Sequence, residues 1–192
     1  DDSVAGDTNG DGIATAPAPG DWESIRFAST ASASTLDSVT VRYGGSNSTT
    51  GALFLDGSAP ALGHLVVMGS RYRGLAVQNA GPVVENAVFS ENATGVYNGS
   101  SAFLILRNSD VYSNTQYGLY NANTAYSLNA ADNWWGSTTG PTHSGNPGGS
   151  GDRVSDAVSY SPWQAAPPVA QPAALPTFPT PPVFTQVSGA IA

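Results

Sequence analysis

The chain has 192 residues, enough for one well-buried domain and a tail, and a formal net charge of -8. Its six basic residues are all arginine (Arg26, Arg42, Arg71, Arg73, Arg107 and Arg153) and lie scattered, so no basic patch offers itself to nucleic acid or to an anionic membrane surface. Cysteine is absent and no apolar run reaches membrane length, which excludes disulfides, thiolate metal sites and membrane insertion through a helix. Gly, Ser, Thr, Asn and Ala dominate, and only 10% of residues are charged. A surface of hydroxyls and amides suits a secreted structural protein better than a cytosolic enzyme. An exported chain with no leader in its sequence would be the mature form.

The first candidate element is Asp7-Thr8-Asn9-Gly10-Asp11-Gly12-Ile13. Side-chain oxygens at Asp7, Asn9 and Asp11, a glycine for the sharp turn and the carbonyl of Ile13 have the spacing of a calcium loop. The pattern departs from an EF-hand at its twelfth position, which is Ala18 rather than Glu. Asp2, Asp21 or Glu23 would have to fold back to complete the site. A Ca²⁺ here would be structural, pinning the loop onto the first coil; the alternative is an Asx-rich turn without metal.

Between residues 36 and 130 short apolar segments recur at a nearly fixed interval. Gly51, Gly74, Gly95 and Gly118 each precede an apolar or aromatic pair. A second line runs through Val39/Val41, Leu65/Val67, Ala87/Phe89 and Ser109/Val111, and a third through Leu62, Val83, Leu104 and Leu128. Three short strands per repeat of about 22 residues, separated by Asn, Gly, Ser or Asp, predict an all-β fold: a right-handed parallel β-helix. No coil can bury its apolar face alone, so stacking supplies the core. Helical periodicity is confined to a weak signal near Ala28–Ala33. Asn86 and Asn108 recur in register, as do Asn92 and Asn114; they suit either amide hydrogen bonds from coil to coil or left-handed turns.

Little in these coils suggests catalysis. Glu85, Glu91 and Asp110 are isolated, there is no lysine, and Arg71 and Arg73 read as ordinary surface partners near Glu91. The expectation is therefore no enzyme. His64 stands where the next coils have Asn86 and Asn108, which suggests a bend hydrogen bond, and His143 is expected to be solvated. Tyr97 and Tyr120 fall in register as an aromatic ladder. Sequons at Asn47, Asn92 and Asn98 make glycans a further expected partner, although such triplets also arise by chance in so Asn- and Ser-rich a chain.

After the repeats come Asn133-Trp134-Trp135-Gly136-Ser137, Gly140-Pro141, Gly151-Asp152-Arg153-Val154-Ser155 and Tyr160-Ser161-Pro162-Trp163. This block resembles the closing coil of parallel β-helix repeat proteins of the pectin-lyase-like superfamily, found on bacterial and archaeal surfaces. The stretch from Asp1 to Gly12, followed by Gly20-Asp21-Trp22, resembles an insertion in an early coil of the same proteins. The resemblance covers about residues 1–163, and it implies a fold and an extracellular, cell-surface setting but no activity. Trp134, Trp135 and Trp163 are expected to cap the solenoid's end; stacking on sugars is the other use of such rings.

Residues 164–182 form a proline-rich arm that should run extended. Residues 183–192 read as a terminal strand with Val183, Phe184, Thr185, Val187 and Ile191 as its docking side chains. In the resembled family a strand precedes the Asp-Asp-Ser-Val segment. That places an acceptor end at Asp1, Asp2, Val4 and Trp22, which the tail strand of another copy would complete by β-strand addition; the alternative is a strand that folds back along its own solenoid. The expected function is a non-enzymatic structural subunit of an extracellular filament, a homopolymer built head to tail. The alternatives are a polysaccharide-binding or polysaccharide-degrading β-helix module, and an adhesin or stalk fragment.

Overall fold

The computed structural model describes residues 10–12, 14, 16–99 and 101–169. Among them there is no helix, and the strands form a parallel β-solenoid of about four turns. The compact unit that carries it begins at Ala18. The arm beyond residue 169 and the strand expected at 183–192 lie outside the described residues, as do Asp1, Asp2 and Val4.

Each coil gives one strand to each of three faces. The first sheet stacks β1 (Ile25–Phe27), β4 (Leu53–Asp56), β7 (Arg73–Gln78), β10 (Thr94–Asn98) and β13 (Tyr117–Asn121). The second stacks β2 (Thr35–Asp37), β5 (Ala61–Gly63), β8 (Val83–Glu85), β11 (Ile105–Arg107), β14 (Leu128–Asn129) and β17 (Val158–Ser159). The third holds β3 (Thr40–Arg42), β6 (Val66–Met68), β9 (Val88–Ser90) and β12 (Asp110–Tyr112). A short parallel pair, β15 (Pro141–Thr142) and β16 (Gly151–Arg153), belongs to the closing block.

Period-two alternation sends every second side chain inward, and aligned rungs meet at the core. Val41, Val67, Phe89 and Val111 align from coil to coil and are buried. Asp110 bridges Trp134, which makes Trp135 the next inward rung; it is fully buried. Each such Val, Leu or Phe contributes about 1.5–3 kcal/mol, but only with its neighbouring coil in place. The third predicted line is shifted: Leu62 aligns with Val84, and Val84 with Leu106. Val83, expected inward, is 42% exposed, whereas Val84 is buried. A slip of one residue flips the face, and Val-Val or Leu-Ile-Leu is apolar in either register.

The glycine line also resolves. Gly74, Gly95 and Gly118 share one column, while Ala52 takes its place in the coil before, so Gly51 lies one residue off. A Cβ on Gly95 would meet the Gly118 carbonyl oxygen at 2.7 Å and the Asn114 amide at 3.0 Å. Glycine is required there because a ladder of amides passes beneath. The Asn92 side chain accepts from Ser70 N–H, Asn114 from Asn92 N–H, and Asp152 Oδ2 from both the N–H and the side-chain amide of Asn114. Asn86 and Asn108 do something else. Together with Ser38, His64 and Asp132 they form a column of left-handed bends, with φ between 47° and 60°. The segment Ala28–Ala33 turns without forming a helix.

Candidate functional site

The outer face of the first sheet carries the richest chemistry. Val96 and Leu119 point inward, so the residues after them, Tyr97 and Tyr120, point out in register. Their rings stack nearly parallel, 3° apart in plane with centroids 5.7 Å apart, as the aromatic ladder predicts. Tyr117, at the start of the same strand, sets its ring edge-on to Tyr120 at 5.0 Å. Two arginines lie on these rings: the Arg73 guanidinium is 3.4 Å from the Tyr97 centroid, and that of Arg153 is 4.7 Å from Tyr117. Arg73 also donates to the Thr49 carbonyl at 2.8 Å, and it makes no ion pair with Glu91. Burial pulls the Arg73 guanidinium below its ordinary pKa, while Tyr97 beside it acts the other way.

Two cavities, of about 260 and 560 Å³, share Tyr117 and Tyr120 as walls. Tyr72, Arg73 and Tyr97 line the smaller, and Thr124, His143, Arg153 and Asp156 the larger. His143 is not simply solvated. Its Nδ1 accepts the Gly145 N–H at 3.0 Å, which leaves the proton on Nε2, 3.1 Å from Asp156 Oδ1. The Tyr160 ring packs edge-on against it at 5.4 Å. His64, by contrast, makes the expected bend contact: its Nδ1 lies 2.9 Å from Asp37 on the preceding coil. The hydrogen bond from His64, aided by Ser38, holds the Asp37 carboxyl below its usual value.

Glu85 pairs with Arg107 one coil on, and Asp110 is buried in the third sheet. Burial pushes the Asp152 carboxyl up, against hydrogen bonds from Asn114 and Ser113 that favour its charge. Among the described residues no three His, Asp or Glu side chains cluster as a metal site. Of the calcium set, Asp7, Asn9 and Ile13 lie outside the described residues, and Asp11 is exposed. The groove can therefore offer flat aromatic faces, two cations and several hydroxyls to a ligand.

The two ends of the solenoid differ. Ile25, Leu53, Leu75, Val96, Leu119 and Val154 form one inward column. At one end Val154 is 1% exposed; at the other Ile25 is 41% exposed. Among the described residues no strand lies beyond β1, β2 or β3 on that side. Trp22 reaches part of it, half-buried against the core with its indole N–H donating to the Arg42 carbonyl at 2.9 Å. At the opposite end Trp134 is half-buried, and Trp163 covers Gly140 and donates to the Thr138 carbonyl at 3.1 Å. Sequence reasoning missed Arg153, Tyr117 and the His143–Asp156 pair, which come together only where the closing block folds beside the last regular coil. The chain matches no protein-family model, no curated protein and no solved structure.

Proposed function

We propose that this chain is a non-enzymatic structural subunit that assembles outside the cell, akin to the surface β-helix proteins its closing block resembles. The single observation that carries the reading is Ile25: an inward rung, aligned with buried leucines, left 41% exposed at a sheet edge. A β-edge with no neighbouring strand among the described residues invites another strand, and an end that differs from its opposite in this way suits head-to-tail addition. The donor in this reading is the segment 183–192 of a second copy, with Val183, Phe184, Thr185, Val187 and Ile191 as alternate docking side chains. Asp1, Asp2, Val4 and Trp22 would flank the acceptor. Deleting residues 183–192 should leave soluble monomers by size-exclusion chromatography and negative-stain microscopy. Polymers from the deletion variant would sink the idea.

The tyrosine–arginine groove favours a second reading, a module that binds polysaccharide. Sugar rings stack on aromatic faces and their hydroxyls hydrogen-bond to neighbouring polar groups. In that case Tyr120→Ala should weaken binding to a responsive glycan at least about tenfold, one lost aromatic anchor. A glycan array with no response removes this reading and leaves the first untouched.

A further inference from the structure

We infer that Asn47 is a covalent attachment site for a glycan, and that it is the one usable sequon of the three. The inference rests on the extracellular reading above. The sequons at Asn92 and Asn98 are explained by the fold itself. The Asn92 amide nitrogen, the atom that would carry a sugar, donates to the Val67 carbonyl at 3.1 Å and to Asn114 Oδ1 at 3.1 Å. That of Asn98 donates to the Ala102 carbonyl and to Asn121 Oδ1. Both side chains are 1% exposed. A sugar on either would break a coil-to-coil bond inside the solenoid.

Asn47 has no such duty. Twenty-six residues separate Val41 from Val67, whereas twenty-two separate Val67 from Phe89 and Phe89 from Val111. The extra residues fall in the bend after β3, where Ser46, Asn47, Ser48 and Thr49 are all exposed. Insertions in a repeat fold mark loops that work outside the core. Thr49 donates its N–H (2.9 Å) and its hydroxyl (2.8 Å) to Asn47 Oδ1, which fixes the carboxamide. The amide nitrogen keeps only a long 3.3 Å contact to Glu23, itself exposed. An enzyme can therefore reach both the acceptor nitrogen and the Thr49 hydroxyl that defines the sequon.

The co-reactant is an oligosaccharide linked through phosphate to a lipid, delivered by a transferase. The Asn47 Nδ2–anomeric carbon bond forms as the anomeric carbon–oxygen bond to phosphate breaks. The bonding pair leaves with the phosphate, and one amide proton passes to a base of the transferase. No redox change is involved. Ser48 also lines the smaller cavity of the tyrosine groove, so the first sugar would sit at its mouth.

The test is peptide mass mapping of the full-length protein from its native source, after cell fractionation. The expected result is protein outside the cell whose Asn47 peptide carries a saccharide mass, with the Asn92 and Asn98 peptides unmodified. Asn47→Gln and Thr49→Ala should each lose that mass completely with no change in Tm, and Thr49→Ser should keep it. Extracellular protein with a bare Asn47, or with sugar on Asn92 or Asn98, overturns the inference and leaves the extracellular reading standing. Protein recovered only inside the cell overturns that reading, and this inference with it.

Discussion

Two columns of asparagine climb this solenoid at the same spacing and do opposite work. Asn92 and Asn114 turn inward, bonding backbone and amide groups of the coils on either side. Asn86 and Asn108 are exposed, and their contribution is a backbone held at φ 52° and 49°. One column is chosen for its side chain and the other for its tolerance of a left-handed bend. Identical residues at an identical period thus carry unrelated energies. The ladder should be the costly one to break, because it leaves several buried groups without partners at once.

The largest effect should come from Asn114→Ala. It strips the acceptor from Asn92 N–H, the side-chain donor from the Phe89 carbonyl, and one of the two Asn114 donors from Asp152. At about 1–3 kcal/mol for each buried group left unpaired, a loss of about 4 kcal/mol is expected in chemical denaturation. Gly95→Ala attacks the same ladder from the backbone side. Its new Cβ would sit 2.7 Å from the Gly118 carbonyl oxygen, and overpacking of this kind costs about 1–3 kcal/mol. Asn108→Ala touches the other column. Its expected cost is about 1 kcal/mol, because Ala lacks the short polar side chain whose local hydrogen bonding eases Asn into the left-handed region, with Asn108→Gly close to neutral. If Asn108→Ala and Asn114→Ala cost the same, the distinction between the columns collapses.

What the sequence revealed follows from which signals survive at single-residue precision. The Val39/Val41 line was legible because Ser38-Val39-Thr40-Val41-Arg42 alternates cleanly, and the repeat period carries that register on to Leu65/Val67 and Ala87/Phe89. The line through Val83 was not, since Val83-Val84 and Leu104-Ile105-Leu106 offer apolar side chains to both faces. Tyr97 and Tyr120 announced themselves through the repeated Gly-x-Tyr-Asn. Their arginine partner Arg153 did not, nor did the last rung of the ladder. Asp152 follows Asn114 by 38 residues, through an excursion that abandons the coil period. Counting along a repeat cannot find a rung placed by a loop.

That last rung supplies the smallest and sharpest test. Asp152 closes an amide ladder with a carboxylate, where burial favours its neutral form and donors from Asn114 and Ser113 favour its charge. The net direction is upward, so the folded protein holds this proton more tightly than the unfolded chain does. The sign follows: the stabilisation is full below the unfolded value of 3.8 and is lost as pH rises through the higher folded value. Asp152→Asn keeps an oxygen for the two Asn114 donors and removes the charge, repeating the rung that Asn92 and Asn114 already make. The variant should therefore gain on the wild type as pH rises from about 3 to neutrality. Paired thermal melts across that range cancel every other titrating group. If the wild type instead gains on the variant towards neutral pH, hydrogen bonding outweighs burial at this position. The ladder's end would then be a stabilised anion, unlike any amide rung above it.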